Sequence, residues 1–125
     1  MPTSLWYFAV RSTLLCVDTT QLLKGVLDLA VLAVLRDEDG YGYDILRRLR
    51  TSGIEDVGDA SVYGTLRRLF NAGLLSTYVV PSDEGPHRKY YGLNAAGRAE
   101  LQRSGKVWQG FATIMDDLLR ERETA

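Results

Sequence analysis

The sequence predicts a mainly α-helical fold with a small β-hairpin, in which helices come first, two strands follow and a long helix ends the chain. With 125 residues, 46% of them hydrophobic and 25% charged, the chain has the size and composition of one globular domain. Apolar residues recur at helical spacing up to about residue 72, after which β-forming residues dominate. From residue 94 the helical spacing returns and continues almost to the C-terminus.

The first two predicted helices differ in how they must be packed. Leu22–Leu35 is apolar on nearly every face, so a helix here has to be covered on more than one side. Gly40, after a run of acidic residues, marks a stop. Tyr43–Arg50 is amphipathic, with Tyr43 among the apolar positions at i, i+3 and i+4 spacing and the arginines facing outward.

A third helix is predicted to run to Ala72, with Asp59 or Ser61 as its N-cap. Gly73 suits a left-handed C-cap, because glycine adopts positive φ without strain. One face of this helix is apolar and is predicted to be buried: Val62, Leu66, Leu69 and Phe70.

The period of the pattern then changes to that of a hairpin. Leu75–Val80 and Arg88–Leu93 are rich in β-forming residues, and Pro81–His87 has the composition of a loop. Asn94 is placed to cap a final helix that continues to about Arg122.

The final helix has an apolar face wider than a small domain covers by itself. Core packing within the chain is one interpretation, and a subunit interface is the one we favour. The residues predicted to lie in this interface are Leu101, Val107, Trp108, Phe111, Ile114, Met115, Leu118 and Leu119.

Three helices followed by a β-hairpin form the winged helix-turn-helix, in which the third helix enters the DNA major groove. The expected organisation is an N-terminal extension at 1–20, the winged helix-turn-helix at 21–93 and a dimerisation helix at 94–125. Winged helices also serve as protein-interaction modules without specific DNA binding, and that alternative stays open from the pattern alone.

Several stretches together resemble the PadR family of bacterial transcriptional regulators: LLKGVLDLAVLAVL, YGYDILRRL, ASVYGTLRRLFNAGLL and EGPHRKYYGLNAAGRAEL. The single C-terminal helix is similar to that of the short subfamily. The resemblance implies a cytoplasmic, homodimeric winged-helix repressor, with the first and last helices building the dimer. It also implies double-stranded operator DNA as a partner.

The residues predicted to contact DNA lie on the third helix, at the start of the second helix and on the wing. Serine, threonine and arginine side chains bond base edges or phosphates, and Gly64 allows the backbone to approach DNA closely. A solvated helix face and the protection of strand edges are the alternatives. The predicted contacts are Ser61, Tyr63, Gly64, Thr65, Arg67, Arg68, Tyr41, His87, Arg88 and Lys89.

Trp108 is a candidate ligand residue as well as an interface residue. A tryptophan on a dimer helix usually anchors the interface. In the multidrug-responsive branch of the resembling family, a tryptophan of the last helix stacks on flat aromatic drugs between subunits. The resemblance therefore implies a planar aromatic effector at Trp108, with Leu29 and Phe111 as further lining residues.

Other classes of protein fit the sequence poorly. The chain has no glycine-rich phosphate loop, no nucleophile elbow and no metal-ligand spacing, so we expect neither an enzyme nor a bound cofactor or metal. Its single cysteine, Cys16, and single histidine, His87, are far apart in sequence. The apolar runs Leu5–Val17 and Leu22–Leu35 are shorter than the ~20 residues of a membrane span. The net charge of −1 leaves only a local basic patch for DNA.

Overall fold

The computed structural model describes residues 19–83 and 85–121, so residues 1–18 of the predicted N-terminal extension lie outside it. It contains four helices and three strands in the order α1, β1, α2, α3, β2, β3, α4. Their bounds are α1 Thr19–Val34, β1 Gly40–Tyr41, α2 Gly42–Thr51, α3 Asp59–Asn71, β2 Leu75–Val80, β3 Arg88–Leu93 and α4 Ala95–Leu119.

The core lies where α1, α2 and α3 meet the base of the hairpin. Helix α1 packs against α2, α3 and α4, which confirms that this apolar helix is covered on more than one side. The residues that are almost completely removed from solvent come from all three helices: Val31, Leu32, Leu35, Ile45, Leu46, Leu49, Val62 and Leu66. The resulting core fixes the position of α3 relative to α1 and α2.

The third helix and the hairpin are joined by a tight helix C-terminus. Gly73 has φ +81°, and the N–H of Leu74 donates to the carbonyl of Leu69 over 3.1 Å. Both features are typical of a glycine-terminated helix. At the other end of the hairpin, the Asn94 side chain accepts a hydrogen bond from the N–H of Gly97 over 2.8 Å. The predicted glycine C-cap and asparagine N-cap are therefore both confirmed.

The sheet has one strand more than the predicted hairpin. Its order is β1-β3-β2, with both pairings antiparallel. β1 pairs Gly40 with Tyr91 and Tyr41 with Tyr90. A strand of two residues gives no periodic signal in the sequence, and Gly40 was interpreted only as a helix stop.

Arg48 ties the segment before β1 to α2. Its guanidinium donates to the carbonyl oxygens of Val34, Glu38 and Asp39 over 3.3, 2.8 and 2.6 Å, and to the Asp44 carboxylate over 2.6 Å. One of these bonds satisfies the carbonyl of Val34 at the end of α1, and the others satisfy carbonyls of the segment between α1 and β1. The position of β1 therefore depends on one arginine of α2.

Several local predictions are wrong. Tyr43 and Phe70 were placed on buried faces, but their side chains are 57% and 41% exposed. The N-cap of α3 is Gly58, without a side-chain hydrogen bond, rather than Asp59 or Ser61. Helix α4 ends at Leu119 because Arg120 has an extended backbone with ψ 132°. Along the described parts of the chain, no helix has the length and apolar character that crossing a bilayer requires.

Candidate nucleic-acid interface

The exposed stripe of α3 is centred on different residues from those predicted. Consecutive residues of an α-helix are about 100° apart around its axis. Because Val62, Thr65, Leu66 and Leu69 are buried, the positions furthest from the core are Ala60, Gly64, Arg67 and Asn71. Gly64 and Arg67 are among the predicted contact residues, whereas Ala60 and Asn71 are not. Within the described residues, the Arg67 side chain makes no ion pair, so it is available to a partner.

Thr65 and Arg68 correct the predicted contact face. Thr65 is only 2% exposed, so the prediction that it lies on the outer face is wrong. The Val62, Leu66 and Leu69 spacing already places residue 65 inside the apolar stripe, and this signal was overlooked. Arg68 lies at the margin of the exposed face that is next to α1, where its Nη2 donates to Oδ1 of Asp28. Ser61 is exposed at the same margin.

Tyr63 occupies the opposite margin of α3, against the start of α2. A Cβ atom added at Gly42 would lie 2.1 Å from Cε1 of Tyr63, closer than any side chain tolerates. Glycine at position 42 therefore allows the tyrosine ring to lie directly on the α2 backbone. The ring stays 43% exposed and can still reach a partner.

A depression of about 300 Å³ joins α2, α3 and the hairpin. Four of the predicted contact residues, Tyr41, Tyr63, Arg88 and Lys89, line it together with Gly42 and Tyr91. We call it the wing depression. His87 is exposed in the loop before β3 and is not among its lining residues.

The two cations of the wing depression lie over aromatic rings. The guanidinium carbon of Arg88 is 4.6 Å from the Tyr41 ring centroid. Lys89 Nζ is 5.7 Å from the ring centroid of Phe70 and 5.6 Å from that of Tyr91. Such cation–π contacts orient the side chains while leaving their charges accessible. The depression is therefore a positively charged hollow with aromatic walls.

A row of tyrosines crosses the outer face of the sheet next to this hollow. Tyr90 is paired with Tyr41 on one side and Tyr78 on the other, with ring centroids 5.4 and 5.6 Å apart. The Tyr78 hydroxyl donates to Asp39 Oδ2 over 2.7 Å. This hydrogen bond raises the pKa of Tyr78, because the carboxylate stabilises the protonated hydroxyl. The row connects the hairpin to the segment before β1.

The start of α2 also carries a charged cluster beneath these rings. Asp44 accepts hydrogen bonds from Arg47 over 2.8 Å and from Arg48 over 2.6 and 3.1 Å. Burial by itself would raise the pKa of Asp44, but the hydrogen bonds and charges of Arg48 and Arg47 outweigh it, so the pKa lies below its ordinary value. Asp44 is therefore ionised at neutral pH and holds both arginines.

A second, larger hollow lies between α1 and α4. It has a volume of about 580 Å³ and brings together Leu29, Trp108 and Phe111, the three residues predicted to bind an effector. The Trp108 and Phe111 ring centroids are 6.4 Å apart. Charged groups from both helices complete the lining: Asp28, Glu100 and Arg103. We call it the α1/α4 groove.

Most of the predicted interface residues form an exposed apolar stripe along α4. Val107, Phe111, Ile114, Leu118 and Leu119 are between 53% and 73% exposed, and Trp108 is 43% exposed. Leu101 differs, because it packs against the core of its own chain. Met115 is half-buried.

The described residues offer no alternative metal chemistry. Within 19–83 and 85–121, no group of three or more His, Cys, Asp and Glu side chains is arranged to hold a metal ion. The accessible functional groups are instead cations, tyrosines and amides on one side of the molecule, which suit hydrogen bonding to phosphates and base edges.

Comparison with known proteins agrees with this geometry. Residues 31–103 match the model of the transcriptional regulator PadR-like family. A PadR-like transcriptional regulator from Bacillus cereus is 31% identical, with TM-score 0.73 over 82% of this chain and 99% of the other. A PadR family regulator from Eggerthella lenta is 27% identical, with TM-score 0.75 over 95% of this chain and all of the other.

A more distant structure shows the same fold in a protein bound to DNA. Bacillus subtilis PadR, crystallised with operator DNA, is 22% identical, with TM-score 0.57. The match covers 80% of this chain and 50% of that protein. The match establishes that the two proteins share a fold. The operator DNA is the partner of the Bacillus subtilis protein.

Proposed function

Because the chain belongs to the PadR-like family of transcriptional regulators, we propose that it binds operator DNA sequence-specifically as a homodimer and represses transcription. The observation that carries the proposal is the wing depression, where Tyr41, Tyr63, Arg88 and Lys89 converge from α2, α3 and the hairpin. A helix presented beside a cationic hairpin fits a major groove and the phosphates at its edge. The operator complex of Bacillus subtilis PadR supports DNA as the partner.

Each part of this surface has its own role in the proposal. Arg88 and Lys89 neutralise phosphates and supply affinity. Arg67 and Asn71 read base edges, since arginine pairs bidentately with guanine and asparagine with adenine. Ala60 and Gly64, small residues that precede Arg67 on the same face of α3, allow the helix backbone to come close to the bases.

Fluorescence anisotropy tests DNA recognition directly. The protein is titrated against duplex DNA from upstream of its own gene and against a scrambled duplex, across a series of salt concentrations. We expect selective binding to the upstream duplex and a steep loss of affinity with salt. Equal, weak binding to both duplexes would contradict the proposal and favour a protein-interaction module.

Variants separate affinity from specificity. Arg88→Ala with Lys89→Ala should weaken binding to both duplexes and reduce the slope of log K against log salt by about 2, one for each lost phosphate contact. Arg67→Ala should reduce the preference for the upstream duplex. Arg120→Ala, at the exposed end of α4, removes one positive charge away from the wing depression and is the matched control for Arg67→Ala.

The homodimer is proposed from the apolar stripe of α4. An exposed stripe of this kind marks a protein interface in a protein of this size. Two subunits joined there present two α3 helices to successive major grooves ~34–36 Å apart. In sedimentation equilibrium, Ile114→Glu should dissociate the dimer, whereas Val79→Glu, an equally exposed apolar position on β2, should not. A wild-type chain that sediments as a monomer would contradict this part.

Release by a planar aromatic effector is proposed from the α1/α4 groove. Trp108 and Phe111 offer ring faces, and Leu29 adds an apolar wall. An effector weakens DNA binding only if it binds the DNA-free conformation more tightly. In the Trp6→Phe background, saturable quenching of Trp108 fluorescence by a planar dye would support this part, and an absence of quenching would contradict it. The Trp6→Phe background leaves Trp108 as the single tryptophan.

A further inference from the structure

The two neighbouring arginines of α3 have different electrostatic surroundings. Arg67 lies at the centre of the exposed stripe, where no carboxylate of the described residues pairs with it. Arg68 lies at the margin next to α1, and its Nη2 donates to Oδ1 of Asp28. One cation of the helix is therefore accessible to a partner, whereas the other is already engaged by a carboxylate of its own chain.

Asp28 holds Arg68 across a hollow between α1 and the start of α3. The hollow has a volume of about 270 Å³, and its polar lining includes Asp28, Asp56, Ser61 and Arg68. Of the two carboxylates in this lining, the one that pairs with Arg68 is Asp28. The ion pair therefore draws the guanidinium toward α1 and away from the centre of the exposed stripe of α3.

This ion pair is weak enough to be exchanged for another. The side chains of Asp28 and Arg68 are 51% and 61% exposed. Ion pairs this exposed change an equilibrium constant by a factor of about five at most, because water screens them. The other contact of the guanidinium, from Nη2 to Thr65 Oγ1, is 3.4 Å long and adds little. An anion of higher charge density can therefore replace Asp28.

Gly64 leaves space for Arg68 on the exposed stripe. In an α-helix, residues i and i−4 lie on the same face, and long side chains lean toward the N-terminus of the helix. Gly64 is four residues before Arg68, and a Cβ atom added at Gly64 would meet nothing within 4 Å. The guanidinium of Arg68 thus has open space over Gly64 into which it can turn when it leaves Asp28.

We propose that Asp28 is a positioning residue that withholds Arg68 from DNA phosphates and so lowers the affinity for DNA of any sequence. Because Arg68 lies at the margin of α3, its partner on DNA is a phosphate at the groove edge, and phosphate contacts carry no sequence information. On DNA, this phosphate replaces Asp28. The inference rests on the DNA binding of the proposed function and adds a residue of α1 to those that determine affinity.

The test uses the full chain and a scrambled duplex, so it does not depend on the operator sequence. Fluorescence anisotropy across a salt series measures the affinity of the wild type, Asp28→Asn, Arg68→Met and the double variant. Asp56→Asn removes the same charge from the same hollow without removing the partner of Arg68, so it is the matched control.

We expect Asp28→Asn to bind the scrambled duplex about two- to fivefold more tightly for each subunit in contact with DNA. The slope of log K against log salt should become steeper by about one per subunit, since one more phosphate is neutralised. A merely structural role of Asp28 would not increase this slope. Arg68→Met should have little effect by itself but should abolish the gain from Asp28→Asn, and Asp56→Asn should leave the slope unchanged.

An equal gain in Asp56→Asn would overturn the proposal, because a general change of charge would then explain it. A gain from Asp28→Asn that persists in the Arg68→Met background would overturn it too, since Arg68 would not be the cause. Unchanged or weaker binding by Asp28→Asn, or no binding of the scrambled duplex even at low salt, would also overturn it. The proposed function fails by a different result, equal binding of the upstream and scrambled duplexes by the wild type.

Discussion

Helices α3 and α4 both have an apolar face, but α3 buries it inside its own chain and α4 leaves most of it exposed. Helix α3 has 13 residues and buries four of them, Val62, Thr65, Leu66 and Leu69, inside its own chain. Helix α4 has 25 residues, of which only Gly97 is buried, while most of its large apolar side chains, from Val107 to Leu119, stay exposed. The exposed apolar side chains of α4 are the ones that the proposed homodimer would cover, whereas α3 needs no second chain to bury its apolar face.

Truncation of one leucine in the core gives the largest expected effect. Leu66 is fully buried, so Leu66→Ala should lower the free energy of unfolding by ~2–5 kcal/mol at every protein concentration. Ile114→Ala on α4 should lower it by an amount that grows with protein concentration, because its contacts form on association. Urea denaturation at two concentrations checks both. If Ile114→Ala lowered the free energy of unfolding equally at both protein concentrations, the contacts of Ile114 would not depend on association and α4 would not differ from α3 in this respect.

Gly42→Ala tests the close contact between the backbone of α2 and the Tyr63 ring of α3. The added methyl group collides with the Tyr63 ring, so we expect a loss of ~1–3 kcal/mol in stability and weaker DNA binding. In the Tyr63→Ala background the same substitution should cost much less, because its partner is gone. Thermal denaturation of the four proteins of this cycle gives the coupling energy. Equal costs in both backgrounds would show that Tyr63 is not the obstacle.

Asp44→Asn is expected to have a smaller, pH-dependent effect. The folded pKa of Asp44 lies below its unfolded value, so its stabilisation is present above the unfolded pKa and is lost as the pH falls through the folded pKa. At pH 7 the variant should be less stable by about 1 kcal/mol, and this difference should shrink in acid.

Urea denaturation between pH 7 and pH 3 measures the Asp44 effect. Asp37→Asn serves as the control, since Asp37 is 81% exposed and paired only with an exposed neighbour. A difference that stays constant across this pH range would contradict the assignment.

Tyr78→Phe should give the smallest effect. It removes one exposed hydrogen bond to Asp39 while keeping the stacked ring, so we expect only a small loss of stability at neutral pH. Near pH 10 the wild-type hydroxyl begins to ionise and repels Asp39, so the difference between the two proteins should decrease there. Thermal denaturation at pH 7 and pH 10 measures the difference in stability between the two proteins. A difference that grows at pH 10 would contradict the hydrogen bond between Tyr78 and Asp39.

Local signals in the sequence predicted the elements that depend on local chemistry. β2 and β3 were predicted at their observed bounds, and the Gly73 and Asn94 caps were identified, because period and capping are properties of neighbouring residues. β1 was missed since its two residues are held by β3 and Arg48, which are distant in sequence. The exposure of Tyr43 and Phe70 likewise depends on which neighbour faces them.

The sequence predicted which residues belong to the candidate site better than it predicted how they are arranged. Residue types and spacing, together with the resemblance to the PadR family, selected Tyr41, Tyr63, Arg88 and Lys89, which the structure brings together. The pairing of Arg68 with Asp28 joins residues 40 positions apart, so no local pattern indicates it. The same holds for Gly42, whose importance comes only from the ring that lies on it.

The shortness of β1 has a consequence for solubility. It covers β3 only at Tyr90 and Tyr91, so Arg88 and Lys89 lie along an uncovered stretch of sheet edge. Uncovered edges invite pairing with the strands of other molecules, and positive charges discourage it through mutual repulsion. We therefore expect Arg88 and Lys89 to discourage edge-to-edge aggregation of the sheet. A variant that loses these charges therefore has to be assayed fresh and at low protein concentration, so that precipitation is not mistaken for lost affinity.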